Sequence, residues 1–305
     1  MDAIKSEMLQ KDNYVLRYDD EYVGIIEDTE ITDDGETEYL KVTGRFAESL
    51  LTRRIVYNQT QINGTVENGL ISLIKDNITE PLVSGRKIDV VGIKTAKGFR
   101  DKLNAQYTGD EIASVIMAVC KANGIGFKMP LKDMKFMFEL YKGVDRSYAQ
   151  YENPHVVFSD KNDNLVSSTY TEVNSSYKNF ALVAGEGEGS QRRKMPVGTI
   201  IGIDRRETFV DARDISSNNG EVSNVEYDKA LTERGYEKLG ETSITQAFDG
   251  EVSMNVNYEY KKDYFLGDIT TIMNDRWNMS INTRIIEVME SEDENGYIVT
   301  PTFGA

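Results

Sequence analysis

From Tyr14 to Tyr57 apolar and polar positions mostly alternate, the period of half-buried strands. Two such runs, "YVLRYDDEYVGIIEDTEIT" and "TEYLKVTGR", are joined by "DDGE", where Asp34-Gly35 predicts a hairpin turn. "FAESLLTRRIVY" predicts a short helix leading into a strand. The period then lengthens. In "GTVENGLISLIKDNI" Val66, Leu70, Leu73 and Ile74 share one helical face. In "TGDEIASVIMAVCKANGIG" Ile112, Val115, Ile116 and Val119 make a second apolar stripe. Thr108 and Glu111 are the expected capping-box pair there, and Gly124 is the expected C-terminal cap. Short strands follow in "IGFKMP" and "KFMFELYKG".

From "HVVFS" onward strands dominate again, with one helical interruption. Ser223 and Glu226 suit the cap of "NVEYDKALTERGYEKLG", Gly240 its closure, and Leu231 and Leu239 its buried side. "TIIGI" reads as a strand before it, and "EVSMNVNYEYKKDYFLGDITTIM", "MSINTRIIEVMES" and "GYIVTPTFG" as strands after it. Such alternation suits an antiparallel barrel or sandwich. The expected fold class is α+β, mainly β. Its divisions are part of a first β-barrel domain over residues 1–58, a small α+β unit over 59–150, and a second β-barrel domain over 151–305 with a helical insertion near 224–240.

The chain has 305 residues and a net charge of −16, from 35 basic and 51 acidic residues. That balance argues against a surface that wraps nucleic acid, which needs clustered Lys and Arg. It suits a particle component, or a lumen through which DNA slides without sticking. One cysteine, Cys120, allows no internal disulfide, and with one histidine, His155, zinc sites built from several Cys and His ligands are excluded. No apolar run reaches the roughly 18 residues of a membrane-spanning helix. "MDAIKSEMLQKDNY" has no apolar stretch of the secretory type, which makes the sequons at Asn58, Asn63, Asn77 and Asn278 coincidental.

The densest candidate chemistry is "VAGEGEGSQRRKMPVG", with Gly185, Gly187 and Gly189 followed by Arg192, Arg193 and Lys194. A dinucleotide loop needs G-x-G-x-x-G before a helix. Here Glu186 and Glu188 interrupt the glycines, Pro196 follows, and no Gly-Lys-Ser/Thr closes a phosphate loop. The glycines therefore predict a β-arm or tight strand-to-strand turn. A Cys120–His155 nucleophile pair is outweighed by the place of Cys120, four residues after Ile116 on an amphipathic helix. Asp160, Asn162 and Asn164 in "DKNDN" have the alternation of a calcium loop, but Leu165 and Thr171 stand where its glycine and its last ligand belong, so a polar turn is expected. No catalytic residue, cofactor or metal is assigned. In "GIDRRETFVDARDIS" Arg205, Arg206, Glu207, Asp211, Arg213 and Asp214 alternate in sign, which favours cross-strand or inter-subunit ion pairs. Gly267-Asp268 in "YFLGDITTI" predicts a tight turn or bulge entering a strand.

Taken in order, "VTGRFAESLLTRRIVY", "YKGVDRSY", "VVFSDKNDNLVSSTY", "KNFALVAGEGEGSQRR", "GIDRRETFVDARDI", "LTERGYEKL", "LGDITTI", "TRIIEV" and "TPTFG" resemble the siphovirus ReqiPepy-type tail-protein family from phages and prophages of Gram-positive bacteria. The likeness runs from about Tyr14 to the C-terminus, with the family's usual opening strands expected to be missing before Met1. The family is akin to baseplate hub proteins and to the N-terminal modules of tail-associated lysins. The resemblance implies two barrel-like domains of the tail hub type, a homotrimeric ring at the tail tip or baseplate, and no enzymatic activity. It implies distal tail and tail fibre proteins as partners, DNA only in transit, and a place in the virion tail after assembly in the host cytoplasm. Two other classes remain: a tail-associated peptidoglycan hydrolase, and a module binding cell-wall carbohydrate, for which 17 tyrosines leave room but the single Trp277 is a thin basis.

Overall fold

The computed structural model describes residues 7–242, 245–252, 257–294 and 296–304; "MDAIKS" and residues 253–256 of an expected strand lie outside them. The alternating N-terminal runs form β1 (Tyr14–Leu16), β2 (Val23–Asp33) and β3 (Glu38–Phe46), an antiparallel sheet in that order. Gly35 turns the hairpin at φ 88°, and Asp34 Oδ1 accepts from the Glu36 and Thr37 amides at 3.0 and 2.8 Å. Only the hairpin's root is packed. Val23, Ile25 and Ile26 are buried, a bulge follows Ile26, and from Asp28 to Arg45 every residue but Leu40 and Val42 is exposed. The helix expected next is a 3-10 helix, Ala47–Arg53, and the strand expected after it is a single bridge from Ile55 to Glu111.

The chain then runs through β4 (Thr60–Thr65), α1 (Val66–Ile74), β5 (Val91–Ile93), β6 (Lys102–Tyr107), α2 (Ile112–Ala122), β7 (Gly126–Lys128), β8 (Leu131–Lys132) and β9 (Lys135–Tyr141). Both helices bury the faces their periodicity predicts, and Gly124 follows α2 at φ 60°. Thr108 and Glu111 do not form a capping box. Glu111 is itself the extended residue before α2, because it bridges to Ile55, and its carboxylate accepts from the Ser114 hydroxyl at 3.0 Å. β4 pairs with β6, while β5, β7 and β8 all pair with β9, and a single apolar core extends from Val23 to Leu140.

β10 (Val157–Ser159) and β11 (Leu165–Val173) begin a second sheet, and the chain then leaves it. It builds β12 (Phe180–Ala184), β13 (Lys194–Val197), β14 (Glu207–Asp211) and α3 (Asn224–Glu241), with its own core around Val183, Val197, Tyr227 and Leu231. α3 carries the predicted capping box of Ser223 and Glu226, but it continues through Gly240 and is capped by Thr242. "TIIGI" is not a strand. Gly198 just before it and Gly202 within it, at φ 111° and 70°, bend the backbone out of the extended range, leaving Ile201 80% and Ile203 97% exposed.

β15 (Thr245–Val252), β16 (Ile269–Asn274), β17 (Met279–Asp293) and β18 (Gly296–Gly304) return the chain to the second sheet, in the order β10-β16-β17-β18-β15-β11. β10 runs parallel to β16, and the other neighbours are antiparallel. Phe158 is the hub of its core, with Tyr264, Phe303 and Tyr258 rings at 5.2, 5.3 and 6.0 Å. The "DKNDN" turn ends in fully buried Asn164, whose amide accepts from Ser159 N and donates to Val157 O, both at 2.8 Å, stapling the turn to β10. The fold is mainly β, with its α-helices gathered on the first and inserted units.

Candidate functional site

The glycine stretch is the β12–β13 hairpin, and its glycines serve close approach and positive φ. A side chain at Gly185 would put Cβ 2.2 Å from the Tyr227 hydroxyl of α3, and Gly187 sits at φ 95° with backbone atoms 3.0 Å from an added Cβ. Several of its donors are already engaged. The Glu186 amide donates to Tyr227 Oη at 2.7 Å, and Arg192, almost buried, donates from Nε to Gly185 O at 2.9 Å and from Nη2 to Ala184 O at 2.6 Å. Arg192 also pairs with Asp211, whose carboxyl burial would push up; the hydrogen bond from Arg192 outweighs this and holds it below the usual range. Arg193 forks onto Asp228 of α3 at 2.9 and 2.5 Å, and Glu186 accepts from the Ser216 and Ser217 hydroxyls at 2.6 Å each. Gly189, at φ 53°, opens the 3-10 turn at the hairpin's tip. The stretch ties two strands to a helix.

The strip that follows closes largely on its own chain. Arg205 Nε is 2.6 Å from Glu207 with its guanidinium 3.4 Å from the Phe180 ring centroid, and Arg206 donates to Asn174 O at 2.9 Å. Asp214 accepts from Arg234 Nη2 of α3 at 2.9 Å. Arg213, its side chain 63% exposed, reaches Asp211 only at 3.8 Å.

Among the contacts between the units, two are joints built on buried polar side chains. At the first, Arg234 also donates to Gln106 O at 2.9 Å, Gln106 Nε2 donates to Asp214 O at 2.9 Å, and the Tyr107 hydroxyl donates to Glu237 at 2.5 Å. Burial raises the Glu237 carboxyl against the opposing pull of Tyr107 and Arg234, and raises the Tyr107 phenol well above its ordinary value. At the second, Gly267 turns at φ 95° into β16, and an added Cβ on Gly143 would lie 1.7 Å from Gly267 O. Buried Asp268 accepts from Val144 N and Arg146 Nε at 2.7 Å each and from Phe265 N at 3.1 Å. Thus "YKGVDRSY" and "LGDITTI" meet at one carboxylate.

Sequence reasoning named Asp214 and Asp268 but missed Gln106, Tyr107, Arg146, Arg234 and Glu237. Arg234 and Glu237 carried a readable signal, two charges three residues apart on the side of a helix that also bears Leu231. Cys120 and His155 lie apart in the fold: burial pushes the Cys120 thiol up to about 12 inside the first core, while His155 stacks edge-on against Tyr148 at 5.0 Å and its Nε2 meets Gln150 O at 2.8 Å. Among the described residues no cluster of three or more His, Cys, Asp or Glu could hold a metal ion, and no helix is long and apolar enough to cross a membrane.

Residues 1–305 match the family described as siphovirus ReqiPepy6 Gp37-like protein. The chain belongs to that family. Its fold is similar to that of the 43 kDa tail protein of prophage MuSo2 from Shewanella oneidensis, at 12% identity and a TM-score of 0.56 over 95% of this chain and 81% of that one. It is also similar to the tail protein from Neisseria meningitidis MC58, at 12% identity and 0.54 over 93% and 79%, and to prophage tail protein gp18 from Listeria monocytogenes EGD-e, at 10% identity and 0.50 over 97% and 80%. Identities this low speak for the fold alone. No curated protein matches the sequence. In this member of the family the segments that carry the sequence resemblance coincide with the joints: "LTERGYEKL" supplies Arg234 and Glu237, and "LGDITTI" supplies Asp268.

Proposed function

We propose that this chain is a structural hub subunit at the tail tip or baseplate of a phage or phage-tail-like particle infecting a Gram-positive host. Three copies close a ring under the tail tube. Each copy carries two barrel-like domains, within residues 1–58 and 151–305, on either side of an α+β unit over 59–150, so that three subunits present pseudo-sixfold symmetry to the tube. The subunit catalyses nothing, touches distal tail and tail fibre proteins, and lets DNA pass without holding it. The observation that carries the reading is the family match across the whole chain. A fold shared with three tail proteins, two of them from prophages, over at least 93% of the chain supports it.

Physical features favour the same reading. Two close-packed joints make a rigid body, as a ring subunit must be. The β2–β3 arm projects seven acidic residues against Lys41 between Glu27 and Thr43, and an isolated two-stranded ribbon is marginal without a partner to lie on. In the ring this arm lies on the neighbouring subunit, with open Arg213 among the residues left for inter-subunit pairing. A net charge of −16 keeps an acidic bore from binding DNA. The test is immunogold labelling of particles with antibody to this chain. Gold at the distal end of the tail is expected; gold along the tube or on the head overturns the assignment.

A further inference from the structure

A cleft of about 680 Å³ opens where the segment between β1 and β2 meets the second sheet. Five of its lining residues are tyrosines: Tyr18 fully exposed at the rim, Tyr258, Tyr260 and Tyr297 half-buried, and Tyr264 buried beneath them. Its volume lies within the range of about 300–1,000 Å³ typical of ligand sites, and junctions between structural units are where such sites concentrate.

The charges of the cleft select among ligands. Arg17, Lys261 and Lys262 face Asp19, Glu259, Glu290 and Glu292. Most of these are committed to one another. Glu290 accepts from Arg17 Nη2 at 2.5 Å, from Lys261 Nζ at 2.8 Å and from the Tyr297 hydroxyl, while Lys262 pairs with Glu259 at 2.9 Å. A nucleotide or other strong anion would need free cations and would meet carboxylates instead. A basic peptide would need several free carboxylates, and Asp19, Glu259 and Glu290 are already paired with cations, which leaves Glu292 alone. An aliphatic ligand would find Val299 as the one aliphatic side chain among the lining residues. What remains is a neutral, saturated ring bearing many hydroxyls. Its weakly positive C–H faces lie against the negative faces of tyrosine rings, and its hydroxyls exchange hydrogen bonds with phenols and with Glu292 at the rim.

We infer that this cleft binds a neutral or N-acetylated pyranose oligosaccharide, with Tyr18 and Tyr260 as stacking faces and Glu292 as a hydroxyl acceptor. Cell-wall backbones and neutral hexose polymers share this chemistry. Saturation-transfer NMR on the full chain with chitotetraose and, separately, maltotetraose distinguishes them. Saturation transfer to either sugar is expected, and the one that responds names the source. The double variant Tyr18→Ala/Glu292→Gln changes only exposed side chains, and an unchanged melting temperature shows that it is folded. It is expected to bind about tenfold more weakly. No transfer to either sugar, or equal transfer to the folded double variant, overturns the inference.

Discussion

At the second joint a single carboxylate holds two parts of the molecule, because Asp268 accepts from two backbone amides and from Arg146. Replacing it with alanine leaves Arg146 almost buried without its counter-ion, a loss of about 3–5 kcal/mol. Urea unfolding of Asp268→Ala should show that drop; a change below about 1 kcal/mol would show that the joint does not hold the fold. At Gly187, φ 95° suits no β-branched residue, and Gly187→Val should cost about 1–3 kcal/mol by thermal melting while leaving no phosphate affinity to lose. Glu290 gives the pH dependence. Burial raises its carboxyl, but hydrogen bonds from Lys261, Tyr297 and Arg17 prevail and hold it below the ordinary range. The ionised form is thus favoured in the folded state, so its stabilisation is complete above the unfolded pKa and is lost as pH falls through the lower folded value. Between about pH 5 and 3 the wild type should lose more thermal stability than Glu290→Gln; parallel melting curves would contradict this.

At the scale of elements, sequence and structure agree where one local rule decides. The helical faces at Val66–Ile74 and Ile112–Ala122, the Asp34-Gly35 turn and the Ser223–Glu226 box are each set by residues within a few positions of one another. They part where a distant partner decides. Thr108 and Glu111 had the spacing of a cap, but Ile55, more than fifty residues earlier, holds Glu111 extended. "TIIGI" had the composition of a strand, yet two glycines at positive φ bend it away from a ladder. The ion pairs were legible as signs and not as partners, since Arg193–Asp228 and Arg234–Asp214 close through the packing of α3 on its sheet. The β2–β3 arm was legible as a hairpin, but its exposure was not, because alternation predicts one buried face that nothing among the described residues covers. Cutting residues 28–43 to a two-residue turn should leave the melting temperature within about 2 °C, since the arm's side chains lie almost wholly outside the core, and should abolish ring formation. A folded, trimming-tolerant ring would place the subunit contact elsewhere.

For the whole molecule, three cores are tied by contacts that include two joints of buried, mutually satisfied polar groups, rather than by long linkers. Interfaces of that kind transmit force without flexing, which suits a part that stands between a tube and whatever lies beneath it. The family could be read from the order of its motifs, but motifs on one chain do not state how many copies meet. Mass photometry of the purified protein measures that directly. A principal species at three times the 34.5 kDa chain mass is the result expected of a ring of three; a species that stays at one chain mass across concentration and low salt would contradict it.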